Sequence, residues 1–384
     1  MGHGLGGFAL SSHHVLNANT GILFMGAGEK QRALTLEGGP GIVGATSGAI
    51  LDELPLDLVT AGAFALGADG SVYYFQYNEN SGDQQIKLVR KGPLGSISIV
   101  SSFNVCIPDS EIPDLCDSGQ LTPPKQFVVL SDTLTYYLSA GKLFRVDSNT
   151  VTEISAIGSL GEACATADIA TRSGQVFVAC DNDLIGGWVG TFSNSETAAP
   201  TIERIAGGGA GVAVGAAPTD YRLGTIVGID RAANADLYVA HTIPTATLTR
   251  FSNLGAQNVV LPAGTQELIG VAALNDGVYL TAQDSRAWRH VFSLDLSGNA
   301  RNFIGNFLGD VGQNSVAPAF GNNQTIAQRE RWPNASAPKI GPDGSIFLSH
   351  LNKVRRFAPS SLFTPYASLP EGYQAVDFLP RTTG

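Results

Sequence analysis

SAPKIGPDGSIFLSHLNKVRRFA, residues 336–358, decides how this chain is read. A short strand runs into Gly341-Pro342-Asp343-Gly344, an apolar strand follows at Ile346-Phe347-Leu348, and a polar corner leads to a third strand carrying Arg355-Arg356. The Asp343-Gly344 pair signals a hairpin, because glycine supplies the positive φ that tight turns require. One such unit cannot bury both faces of its own small sheet. It has to stack on copies of itself, so the chain should contain copies.

Copies recur along the sequence. They are AGAFALGADGSVYYFQY (61–77), QFVVLSDTLTYYLSAGKLFRVD (126–147), CATADIATRSGQVFVACD (164–181), GTIVGIDRAANADLYVAH (224–241) and LIGVAALNDGVYLTAQD (268–284). With the opening stretch they make six units, spaced roughly 40 to 70 residues apart. Each reads as strand, turn, strand, corner, strand, often with a fourth strand such as Ile202–Ile205. Four antiparallel strands per unit, repeated radially, describe an all-β fold, a β-propeller of about six blades, with seven possible. No sustained apolar recurrence at helical spacing competes with that reading.

These units resemble NHL-type propeller repeats, with 61–90, 224–251 and 336–358 matching best and 126–147, which lacks the glycine turn, matching least. The segment 4–33 narrows the resemblance. Gly4-Leu5-Gly6-Gly7, His13-His14-Val15-Leu16, Gly21-Ile22-Leu23-Phe24 and Gly26-Ala27-Gly28-Glu29 look like the opening of the propeller in teneurins and bacterial RHS/YD-repeat proteins, with Phe8 where that family has tryptophan. The resemblance implies an N-terminal hairpin over residues 1–36 that packs on or completes a single propeller over 37–384. It also implies a YD-repeat shell downstream in a longer chain, and an extracellular or cell-surface setting. In that family the propeller packs on the shell and presents loops to partners. Residues 37–60, with an acidic tip at Asp52-Glu53, and 101–125 read as long connectors between blades, and 375–379 as a late strand near the closure.

Composition bounds the partners. Only 15% of residues are charged and 46 of 384 are glycine, which suits short strands and tight turns rather than disorder. A net charge of −10 argues against nucleic acid, since phosphate contacts need a basic face. No apolar run reaches membrane-spanning length, so membrane insertion is not expected. The opening MGHGLGG lacks the charged and apolar regions of a signal peptide, which leaves a cytosolic protein or a module of a longer exported chain. Cys106 and Cys116 bracket the polar loop VCIPDSEIPDLCDSG, and Cys164 and Cys180 flank a hairpin, roughly opposite each other. Both pairs fit local disulfides, and the alternative is four free thiols. Zinc is disfavoured because no CxxC spacing appears.

No GxSxG or HExxH motif is present. His13 and His14 are adjacent on a strand and point to opposite faces, so no metal site is expected there. The glycine run IAGGGAGVAVGAAPTDYRL (205–223) lacks the Lys-Ser/Thr of a phosphate loop and reads as an inter-blade segment. Asp69, Asp276 and Asp343 fall in hairpin turns, where aspartate serves the backbone. The remaining acids placed near inner strands, Glu162, Asp168, Asp181, Asp183 and Asp230, are the catalytic candidates. Trp332 beside Arg329 and Arg331 in the polar insertion 309–335 is a candidate contact surface, the alternative being that Trp332 caps the core. Two functions follow. One is a recognition or scaffold module without a cofactor, binding protein or glycan through inter-blade loops. The other is a hydrolase of glycans, esters or lactones, with acids or calcium in the central funnel.

Overall fold

The structure is a computed structural model. It describes residues 14–17, 22–27, 30–35, 50–55, 63–76, 82–93, 96–107, 121–139, 141–154, 165–181, 186–193, 202–242, 244–297, 299–304, 336–342, 344–350 and 353–357.

Three strands, β1 (His14–Asn17), β2 (Ile22–Ala27) and β3 (Lys30–Thr35), form an antiparallel sheet of their own. β4 (Ile50–Pro55) stands apart from them in sequence and pairs elsewhere. Four-stranded antiparallel blades then follow. The first is β5 (Phe64–Leu66), β6 (Val72–Gln76), β7 (Gly82–Lys91) and β8 (Ile97–Ile107). The second is β9 (Gln126–Ser131), β10 (Leu134–Ser139), β11 (Lys142–Asp147) and β12 (Thr150–Glu153). The third is β13 (Ala165–Arg172), β14 (Gln175–Asp181), β15 (Trp188–Ser193) and β16 (Glu203–Gly207). The fourth is β17 (Thr225–Arg231), β18 (Leu237–Thr242), β19 (Ala246–Ser252) and β20 (Gly255–Val259). The fifth is β21 (Glu267–Ala273), β22 (Gly277–Gln283), β23 (Arg289–Asp295) and β24 (Ala300–Ile304).

The sixth blade draws its strands from both ends of the chain. β25 (Lys339–Ile340), β26 (Ile346–His350) and β27 (Lys353–Phe357) are completed by β4, with Lys353 opposite Pro55 and Arg356 opposite Asp52. The ring is therefore closed by part of the stretch that reads as a connector in the sequence. Asp52 and Glu53 lie within a strand rather than at a loop tip. The proposed strand at 375–379 lies outside the described residues. The connector expected over 101–125 also begins later, because β8 runs to Ile107 and carries Cys106 as a paired strand residue opposite Asp83.

The blades number six, and packing explains their sequence pattern. Along β6, Tyr73 and Phe75 face the second blade while Val72 and Tyr74 face the sixth. Successive side chains alternate across a strand, and both faces of each sheet meet a neighbouring blade. The second strands are therefore continuous apolar runs, VYYF, TYYL, VFVA and LYVA, rather than alternating ones. Six apolar clusters result, one between each pair of adjacent blades. The first is largely aromatic: the rings of Phe75 and Phe127 meet edge to face at 4.7 Å, and Tyr137 stacks on Phe144 at 5.1 Å.

The turn aspartates and the third-strand arginines serve each other. Asp69 accepts the Ser71 amide at 2.9 Å, and its other oxygen takes Arg90 of β7. In the fourth blade Asp236 receives Arg250 of β19, through Nε at 2.8 Å and Nη2 at 2.6 Å. In the first and fourth blades the third-strand arginine is thus the partner of a turn. Gly70 and Gly344 hold φ of 82° and 77°, as the Asp-Gly turns demand.

Candidate functional site

The first strands of the blades surround the axis. β5 packs on β9, β9 on β13, β13 on β17, β17 on β21, β21 on β25, and β25 returns to β5. Backbone approaches backbone here, and small residues make it possible. A Cβ on Gly228 would lie 2.8 Å from Gly270 Cα, and one on Gly270 would strike Ala337. Beyond this constriction the axis opens into a neck of about 130 Å3 and then a mouth of about 510 Å3, among the turns that join first and second strands.

Two of the five acids predicted from sequence meet in this region. Asp168 of β13 is 5% exposed. Its Oδ1 accepts the Ile169 amide at 2.8 Å and its Oδ2 accepts the Ile229 amide of the next blade at 2.7 Å. Asp230 of β17 repeats the arrangement one step on, taking the Arg231 amide at 2.8 Å and the Ala273 amide of the fifth blade at 2.7 Å. Each acid therefore staples its first strand to the next one around the ring. Burial pushes the Asp168 carboxyl up to about 6, against the pull of Lys339 and of the two amides. Burial raises Asp230 as well, opposed first by the Ala273 amide and then by Lys339, the Arg231 amide and Arg172.

Asp181 is not part of this group. It ends β14 and accepts the Ile226 amide at 2.8 Å, bridging the third and fourth blades away from the residues that line the neck. Glu162 and Asp183 lie outside the described residues, as do Trp332, Arg329 and Arg331. Among the described residues no three His, Cys, Asp or Glu side chains cluster as a metal site would need.

Sequence reasoning passed over the two cations of the neck, Arg172 at the end of β13 and Lys339 at the start of β25. A signal was available. Lys339 is the one charge in APKI, and Arg172 ends ATADIATR four residues after Asp168, so each strand carries a cation among mostly small or apolar neighbours.

The cysteine geometry differs in detail from expectation. The turn of the third blade is centred on Ser173-Gly174, so Cys180 stands opposite Thr166 rather than Cys164. Cys106 and Cys180 are both disulfide-bonded, and Cys116 and Cys164 lie outside the described residues.

No family model matches the chain and no curated protein does. Solved structures are similar in fold. A streptogramin B lyase shares 13% identity over 80% of this chain and 96% of its own, with a TM-score of 0.41. YCF48 bound to a D1 peptide shares 10% over 85% and 99%, at 0.41. The extracellular domain of the two-component system BT4673 from B. thetaiotaomicron shares 10% over 83% of this chain and 39% of that one, at 0.38.

Proposed function

We propose that this propeller is a recognition module of the RHS/teneurin kind. It binds a protein or glycan partner through the connectors between its blades and does not turn over a substrate in its channel. One observation carries the reading: all four oxygens of Asp168 and Asp230 already accept backbone amides. A general acid or a calcium ligand needs an oxygen turned toward substrate or ion. Here one oxygen of each acid accepts the amide of the next residue and the other accepts an amide of the neighbouring blade, which holds the ring. The family motifs at 4–33 and the six repeated units support the narrower assignment. Under it the chain works outside the cell as part of a larger exported protein, ahead of a YD-repeat shell. Cys106–Cys116 and Cys164–Cys180 are then the disulfide pairs. The pI of about 5.0 favours protein or glycan over nucleic acid.

The test has two arms. A panel of chromogenic glycosides, esters and lactones is run on the pure protein with and without calcium, alongside Asp168→Asn, Asp181→Asn and Asp230→Asn. Turnover above background that is lost in these variants would establish a channel hydrolase and end the recognition reading. In the second arm, protein and glycan arrays are probed with wild type and with Trp332→Ala, Arg329→Ala and Arg331→Ala. Weaker capture with an unchanged melting temperature is the expected result.

A further inference from the structure

We propose that the axial neck and the mouth above it bind a small organic carboxylate, held by Arg172 and Lys339. This goes beyond partner recognition by the connectors, and concerns the turns between first and second strands.

Four observations converge on it. Arg172 and Lys339 line the same neck as Asp230, and both act on its carboxyl through space. Both are half-buried, and the charges that face them are the carboxyls of Asp168 and Asp230. Their nearest counter-ions are engaged elsewhere: Asp168 and Asp230 each keep one oxygen on the amide of the next residue and the other on an amide of the adjoining blade, and rotating either toward a cation would strip those amides. Finally, Arg172 lines both the neck and the mouth, whose volume of about 510 Å3 falls in the range of small-molecule sites.

The chemistry of the lining selects the ligand class. A guanidinium presents a planar fork that matches a carboxylate with two parallel hydrogen bonds, while the lysine acts as a point charge. Much of the remaining wall is aliphatic, including Leu66, Leu130, Leu274 and Ile340. The occupant is therefore a carboxylate on an apolar body rather than a bare inorganic oxyanion. Binding involves no covalent step.

Titration calorimetry on the full chain tests this with benzoate and acetate as carboxylate probes, benzamide as the neutral counterpart and inorganic phosphate as the competing oxyanion. Benzoate should bind one to one and raise the melting temperature, acetate more weakly, and benzamide not at all. Loss of a charge-assisted contact should weaken benzoate by about tenfold to a hundredfold in Arg172→Gln. Lys339→Met should weaken it too. Each variant removes a charge that favours the buried Asp230 carboxylate, so each melts somewhat below wild type without ligand, and the ligand response is read against that variant's own unliganded melting temperature. Should Arg172→Gln fold poorly, Lys339→Met and the benzamide comparison still decide. No response to either carboxylate at millimolar concentration overturns the proposal, as does equal binding of benzamide or phosphate, or benzoate binding unaffected in both variants. None of these outcomes depends on partner capture through Trp332, so the two readings fail separately.

Discussion

Replacing Asp168 by asparagine sets two forces of known sign against each other. Burial raises the carboxyl from 3.8 to about 6, so the folded protein prefers it protonated. A folded pKa above the unfolded one means the native state binds the extra proton between those values, and stability falls as pH rises through that window. The shift corresponds to roughly 3 kcal/mol lost between pH 4 and pH 7. Asparagine is neutral throughout and escapes that loss. Its carbonyl oxygen can still accept the Ile229 amide, but its NH2 group then faces the Ile169 amide, removing one hydrogen bond at a cost of about 1 kcal/mol. Asp168→Asn should therefore be slightly less stable than wild type at pH 4 and more stable by about 1–2 kcal/mol at pH 7. Asp168→Ala leaves the Ile229 amide buried without an acceptor and should be less stable than the asparagine variant by about 1–3 kcal/mol at both pH values. Urea unfolding of the three proteins in half-unit steps from pH 4 to pH 7.5 measures this, and relief of the like-charge repulsion between Asp168 and Asp230 acts in the same direction as the loss of the Asp168 charge. An Asp168→Asn variant that is progressively less stable than wild type as pH rises would show that the two amides outweigh burial, and the argument from desolvation would be wrong.

Three further outcomes are expected. His241 Nδ1 accepts the Gly224 amide at 3.2 Å and Nε2 meets Thr249 Oγ1 at 2.9 Å, and burial lowers its pKa from 6.5 to about 4. The neutral ring is the one that fits, so stability present above pH 6.5 should be lost by roughly 3 kcal/mol as pH falls to 4. An NMR titration of the His241 ring with a midpoint near 6.5 would contradict this. Gly228→Ala places a methyl 2.8 Å from the Gly270 Cα, where backbone cannot yield, and should cost about 1–3 kcal/mol in denaturant unfolding. An unchanged midpoint would argue against close packing at the axis. Removing residues 1–56 deletes β4 and bares the β27 edge, including buried Val354 and Phe357, so size-exclusion chromatography should show association. A truncated chain that elutes as a monomer with unchanged melting would refute closure by β4.

The sequence by itself determined the repeating unit, and through it the propeller. The reason is local: each copy carries its own turn chemistry and its own apolar second strand, as in GADGSVYYF and GPDGSIFL. The continuous apolar runs also show that both faces of each strand are covered, which in a chain without helical periodicity points to a stacked array of sheets. Closure was not legible, because β4 pairs with β27 across some 300 residues of chain, and ILDELP carries two acids and no hairpin signal. The channel was only half legible. Asp168 and Asp230 stand out as acids in apolar strands, but whether an acid aims at a ligand or at the next strand depends on which backbone amide the neighbouring blade brings within 3 Å. That amide belongs to a residue 61 positions away for Asp168 and 43 away for Asp230. Arg172 and Lys339 are further apart still, and only the curvature of the ring brings them to one neck. Local pattern specifies a blade, whereas the angle between blades is set by packing along six interfaces at once, and everything on the axis is decided by that angle.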